Sequence, residues 1–175
     1  MEKKQSWRET PSLDHRIYGV LFLCTGNSAR SIIAECLLNR LGRGRFRAFS
    51  AGSHPTGLVN PGAQEILEQH DYPTAGLRSK SWDDFAQPAG PQLDFVFTVC
   101  ANAAAETCPL WQGVPQTAHW AIPDPAAALG STSDKRQAFA DAFAMLTKRV
   151  EAFVDLPLAS LDPADLQREL DNIGR

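Results

Sequence analysis

No run of apolar residues in this chain approaches the roughly 20 that a membrane-spanning helix needs. Residues 1–16 are polar and lack the apolar centre of a signal peptide, so they read as a loosely held arm on a cytoplasmic protein. Neither Gly-x-Gly-x-x-Gly nor a loop ending in Gly-Lys-Ser/Thr occurs, which removes the usual dinucleotide and nucleotide sites. Basic charge is not in excess. Lys and Arg number 17 against 20 Asp and Glu, for a net charge of −3, which argues against a broad nucleic-acid surface. Gly42-Arg43-Gly44-Arg45 reads as a solvated turn. Cysteine is sparse, with 4 residues, and no pair has the short spacing of a zinc site, so no metal or organic cofactor is expected. In a reducing compartment these thiols should be reactive or buried rather than a disulfide framework. There is no internal repeat, and 175 residues suit one domain with one core.

What is present centres on Cys24. It closes the apolar run Val20-Leu21-Phe22-Leu23 and opens Cys24-Thr25-Gly26-Asn27-Ser28-Ala29-Arg30-Ser31, with Ile32-Ile33-Ala34-Glu35-Cys36-Leu37-Leu38 following as a helix. A strand, a tight loop and a helix start therefore surround one thiol. Unpaired N–H groups at the helix start point into the loop. Successive loop amides can curl around a tetrahedral oxyanion, aided by the positive end of the helix dipole. Arg30 adds a planar fork that grips two oxygens at once. The same field favours a thiolate, so nucleophile and anion site come from one piece of backbone.

Strands are expected at Ile17–Leu23, Phe46–Ser50, Leu93–Val99 and Thr117–Ile122. Helices are expected at Ser31–Leu41, from Asn60-Pro61 to about Gln69, at Ser81–Phe85 and over Asp134–Val154. The last should bury Phe139, Phe143, Leu146, Val150 and Phe153 on one face. Gln87–Pro91 reads as a surface loop. Alternating strands and helices imply an α/β fold with a parallel sheet covered on both faces. Ligands of such sheets sit beyond the carboxyl ends of the strands, where Cys24, Cys100 and Asp124 should meet. The domain proper is expected at 17–156. The remainder, 157–175, reads as a helical extension outside the core, capped by Asp162 before Pro163.

Cys100 ends the third strand and Cys108 follows after Ala101-Asn102-Ala103-Ala104-Ala105-Glu106-Thr107. They are either two separate buried thiols or a pair that meets when the alanine-rich stretch loops or unwinds, since a bridge needs Cα atoms about 5–6 Å apart. Asp124 lies between Pro123 and Pro125, either as a turn residue or as a carboxylate held over a site. Cys36 reads as core and His119 as packing at a strand end. His15, His54 and His70 read as surface or loop residues.

The segment Leu21–Glu35 resembles the phosphate-binding loop of the low-molecular-weight protein tyrosine phosphatase superfamily. Within it, the chain is most similar to the arsenate reductases built on that fold. Ser50-Ala51-Gly52, Thr98-Val99-Cys100, Cys108-Pro109, His119-Trp120 and Pro123-Asp124-Pro125-Ala126 carry the likeness further, over residues 17 to about 155.

The resemblance implies a four-stranded, flavodoxin-like parallel sheet of order 2-1-3-4. It implies arsenate, with phosphate as competitor, bound by the loop residues Thr25, Gly26, Asn27, Ser28, Ala29, Arg30 and Ser31. Cys24 would be the nucleophile, Ser31 its thiolate partner and Asp124 the general acid. Cys100 and Cys108 would form the thiol relay that carries oxidising equivalents away. The electron donor implied is thioredoxin, or else glutathione with glutaredoxin. Ala29 stands where many thioredoxin-coupled members have a second cysteine, and Cys108 is one residue farther from Cys100 than is usual there. A protein tyrosine phosphatase is the alternative, although Ala126 stands where tyrosine-specific members often have an aromatic residue. A non-catalytic arsenic or redox sensor would have no use for Asp124.

Overall fold

The structure, a computed structural model, describes residues 16–86 and 88–175. The arm expected at 1–16, Arg16 apart, lies outside the described residues, as do His15 and Gln87 of the expected 87–91 loop. Four strands form the sheet: β1 (Tyr18–Cys24), β2 (Phe46–Gly52), β3 (Phe95–Thr98) and β4 (Gln116–His119). Their order is β2-β1-β3-β4 and every pairing is parallel, as the resemblance implies. The helices are α1 (Arg30–Leu41), α2 (Pro61–Gln69), α3 (Asp83–Ala86), α4 (Ala101–Ala105), α5 (Thr132–Val154) and α6 (Pro163–Ile173).

β1 is apolar throughout because both of its faces are covered. Val20 and Phe22 face a large core shared with Ile33 and Leu37 of α1 and Leu146, Val150 and Phe153 of α5. Leu21 and Leu23 face the other side, where Phe85 of α3, Trp82, Trp111 and Cys108 close a smaller cluster. The apolar stripe expected on α5 is buried in full. The chain leaves β1 for one edge of the sheet and later returns to its other side as β3. The segments after these two strands therefore part and leave a crevice between them.

Two strands are shorter than the sequence suggests. β3 begins only at Phe95, and Asp94 just before it holds Gly19 twice, its N–H donating to the carbonyl and its carboxylate accepting from the N–H, both at 2.8 Å. β4 stops at His119, after which the chain bends towards Pro123, which has no N–H to give a ladder.

The C-terminal extension is not outside the core. Leu166 and Leu170 of α6 are buried in the main cluster, and the indole of the fully buried Trp120 donates to the Leu170 carbonyl at 3.1 Å. Trp120 also stacks on Phe97, with ring centroids 4.1 Å apart. The packing expected of His119 therefore belongs to its neighbour: His119 is exposed and its Nδ1 meets the Thr98 hydroxyl at 2.8 Å.

Candidate active site

The carboxyl end of β1 delivers Cys24 directly beneath the start of α1. Register places it opposite Gly52 of β2. A Cβ at position 52 would lie 2.4 Å from the Thr25 carbonyl oxygen and 2.9 Å from the Asn27 nitrogen, so only glycine lets β2 pass this close under the loop. The loop is held from outside by backbone bonds. His54 N–H donates to the Thr25 carbonyl, Thr56 N–H to that of Gly26 and Asn60 N–H to that of Ser28, at 2.9, 2.9 and 2.8 Å.

Helix α1 has no side-chain cap and no acidic residue in its first turn. Its leading amides are thus left to the loop, with no carboxylate to compete for them. Ser31 lies in the first turn of α1, past the Ala29 cap position, and its hydroxyl meets the thiol. Its Oγ lies 2.9 Å from the Cys24 Sγ. The backbone N–H of Asn27 also donates to that sulfur, at 3.2 Å.

The direction of the serine proton follows from the next contacts. The Lys80 backbone N–H donates to Asn27 Oδ1 at 2.7 Å, which fixes that atom as the acceptor end of the amide. Asn27 Nδ2 then donates to Ser31 Oγ at 2.8 Å. The serine oxygen is an acceptor there, and its own proton is free to point at Cys24. Two donors thus converge on the sulfur and stabilise negative charge on it. Asn27 holds φ at +41°, a left-handed conformation that asparagine tolerates better than most residues.

A cavity of about 240 Å³ opens over the thiol, lined by Cys24, Thr25, Gly26, Ser28, Ala29, Arg30 and Asp124, with Thr56, Asn102 and Ala126 at its margin. Asn27 and Ser31, named from sequence with the anion loop, are fully buried behind it and face the sulfur rather than the opening. Arg30 is half steered by the backbone, donating through Nη1 to the Ile122 carbonyl at 2.9 Å. Its Nη2 lies 3.4 Å from Asp124 Oδ2. The other carboxylate oxygen of Asp124 accepts from the Ala126 N–H at 3.0 Å, opening a single 3-10 turn, Pro125–Ala127. This fixes the carboxylate at the mouth of the cavity, 42% exposed. Cys24, Arg30 and Asp124 thus meet where the strands end.

Cys100 is buried at the same edge, its Sγ 3.6 Å from the Thr25 hydroxyl. That sulfur caps α4, accepting from the Ala103 N–H at 3.4 Å. Cys108 is not brought to the site. It packs with Trp111 on the smaller cluster, whereas Cys100 belongs to the main one, so the five-residue α4 separates the two thiols. Burial and then the nearby Glu106 carboxylate push the Cys108 thiol up from its ordinary value. The segment is tied down by Ser53, whose hydroxyl donates to Glu106 at 2.9 Å. Cys36 is remote from the cavity, and its thiol is pushed up to about 12, chiefly by burial and next by Glu35.

Sequence reasoning passed over Lys80, whose backbone N–H reaches Asn27 from 53 positions away. It noted Ser50-Ala51-Gly52 without the steric reason for the glycine. The sequence pattern of the family described as low molecular weight phosphotyrosine protein phosphatase matches residues 19–171. The chain belongs to that family. An arsenate reductase of Halalkalibacterium halodurans is 30% identical over 136 residues, which are 78% of this chain and 94% of the relative. The arsenate reductase of Bacillus subtilis is 33% identical over 117 residues, 66% of this chain and 80% of that one. Among solved structures, an arsenate reductase from Archaeoglobus fulgidus superposes with a TM-score of 0.61 at 25% identity, covering 78% of this chain and 99% of the other.

Proposed function

We propose that this protein reduces arsenate to arsenite by cysteine chemistry, as a step in arsenic detoxification. Within a family whose common loop serves phosphate ester cleavage, one observation carries this reading: a second buried thiol, Cys100, lies against the nucleophile loop through Thr25. Hydrolysis has no use for that thiol, because water completes it. Reduction requires it. The match to relatives named arsenate reductase over 94% of their length supports the same choice.

In this mechanism the loop amides and the Arg30 fork hold the oxyanion above Cys24. The thiolate attacks arsenic, an arsenate hydroxyl takes the proton of the Asp124 carboxylic acid, and it leaves as water while a sulfur–arsenic bond forms. Cys100 thiolate then attacks the Cys24 sulfur. The electron pair of the sulfur–arsenic bond passes to arsenic, taking it from the +5 to the +3 state, and arsenite departs from a Cys24–Cys100 disulfide. Cys108 attacks Cys100, freeing Cys24 and leaving a Cys100–Cys108 bridge. For that step α4 unwinds, and its cap is weak enough to let go: a single N–H on a neutral sulfur. An external dithiol, assigned to thioredoxin in the reducing cytoplasm, restores both thiols.

Arsenite formation tests this reading, followed with NADPH consumption in separate thioredoxin-coupled and glutathione–glutaredoxin-coupled assays. Turnover with thioredoxin is expected. Turnover only with glutaredoxin would move the donor assignment. Brisk hydrolysis of an aryl phosphate with no arsenite from either system would make the protein a phosphatase.

A further inference from the structure

Behind the loop, away from the cavity, lies a small charged cluster that the reaction scheme does not use. Lys80 Nζ is within 3.4 Å of Glu35 Oε2, 3.3 Å of Ser50 Oγ and 3.0 Å of the Arg78 carbonyl. Ser50 donates in turn to the same Glu35 oxygen. The side chains are only 10% exposed at Lys80 and 19% at Glu35, so this is a largely desolvated ion pair joining α1, β2 and the 78–81 segment. Such a pair is a poor source of net stability, but losing one partner alone leaves the other charge buried and uncompensated.

The backbone of the same lysine is fully engaged at the site. Its carbonyl accepts from the Gly52 N–H at 2.9 Å, directly under the loop. Its N–H holds Asn27 Oδ1 at 2.7 Å. We propose that Lys80 is a positioning residue for the Cys24 nucleophile. Its buried ammonium pins the 78–81 segment to Glu35 and Ser50, so that its N–H orients the Asn27 amide and thereby aims the Ser31 proton at the thiolate. Its charge also cancels Glu35, which would otherwise place an uncompensated carboxylate behind a loop built to receive an anion. The other titratable groups around this cluster are Cys36 on α1 and Arg40 one turn further on. The proposal rests on Cys24 being the nucleophile but not on arsenic being the substrate.

The test compares Lys80→Met, Lys80→Arg and the double variant Lys80→Met/Glu35→Gln. Two readouts are followed: the pH profile of Cys24 alkylation by iodoacetamide, and KM and kcat for an aryl phosphate. With Lys80→Met, the alkylation profile is expected to move to higher pH, with labelling about tenfold slower on its acid limb. KM for the anion should rise with it. Lys80→Arg should recover both readouts in part. The double variant removes both charges together, so it should recover KM while the displaced pH profile persists. An unmoved alkylation profile in folded Lys80→Met or in the double variant, with only thermal stability lowered, would overturn the assignment and leave the pair structural. Should Lys80→Met fail to fold, the double variant decides, since it leaves no buried charge unpaired. Because alkylation needs no arsenate, absence of arsenate turnover in the unmodified protein would count against the reductase reading and not against this one.

Discussion

The sulfur of Cys24 and the hydroxyl of Ser31 stand 2.9 Å apart, and with Asn27 already donating to the serine oxygen, the serine proton is free to point at the sulfur. The Lys80 N–H fixes the Asn27 amide, and that amide donates to Ser31, which leaves the serine proton for the sulfur. Ser31→Ala should therefore slow Cys24 alkylation and the turnover of both arsenate and aryl phosphate. A hydrogen bond to a charged group is worth about 1.5–3 kcal/mol, so a loss of roughly tenfold or more is expected. Stopped-time labelling beside steady-state rates measures it. Equal alkylation of the variant and the parent protein would show that the serine does not serve the thiolate.

Reduction and ester hydrolysis should share Cys24, Arg30 and Asp124 and part at Cys100. Cys100→Ser should abolish arsenate turnover and leave aryl phosphate hydrolysis largely intact. Asp124→Asn should depress hydrolysis by about a hundredfold, the lower range for a lost general acid, and slow arsenate reduction as well. Full arsenate turnover by Cys100→Ser with any donor would mean that an external thiol attacks Cys24 directly.

Cysteine reactivity should follow environment. Cys36 is held at about 12, against an ordinary 9.0, and should resist alkylation throughout the neutral range. Because its folded value lies above the unfolded one, the stability linked to it is complete below about pH 9 and is lost as pH rises towards 12. Cys108 is raised by burial first and Glu106 second, so Glu106→Gln should quicken its labelling at a fixed, mildly alkaline pH. Peptide mapping after brief iodoacetamide treatment reads out all of these positions together. Slower or unchanged labelling of Cys108 in Glu106→Gln would contradict the charge effect.

Helix α6 should matter for stability rather than chemistry. Leu170 is fully buried against the core that Trp120 completes. Leu170→Ala should cost about 2–5 kcal/mol, as large-to-small substitutions in cores do. Thermal denaturation measures it, and kcat below the transition should remain near that of the parent protein. A melting temperature unchanged by the substitution would return α6 to the status of an appendage.

The loop and the sheet were legible in the sequence because both are local patterns. Four apolar residues ending in a cysteine, then small residues, then a helix with Arg30 at its start, can be read from spacing alone. Strand order and the relay role of Cys100 came through resemblance, since no periodicity encodes which strands are neighbours, whereas its place at the sheet edge followed from its position at a strand end. The seat of α6 was missed because Leu166 and Leu170 form only a short stripe, and the indole that receives them lies about 50 positions earlier. Nothing in the sequence singles out Lys80. Its partners, Glu35 and Ser50, lie 45 and 30 positions away, and nothing in a single sequence joins them.

The central claim is that electrons reach arsenic from this chain's own cysteines, and a single turnover tests it most directly. Fully reduced protein would be mixed with excess arsenate and no external reductant. Arsenite would be counted per chain, and disulfides mapped by mass spectrometry after acid quenching. The account predicts one arsenite per chain, with Cys100 and Cys108 joined and Cys24 and Cys36 free. No arsenite, with all four thiols recovered free, would contradict it and leave hydrolysis as the chemistry of this site.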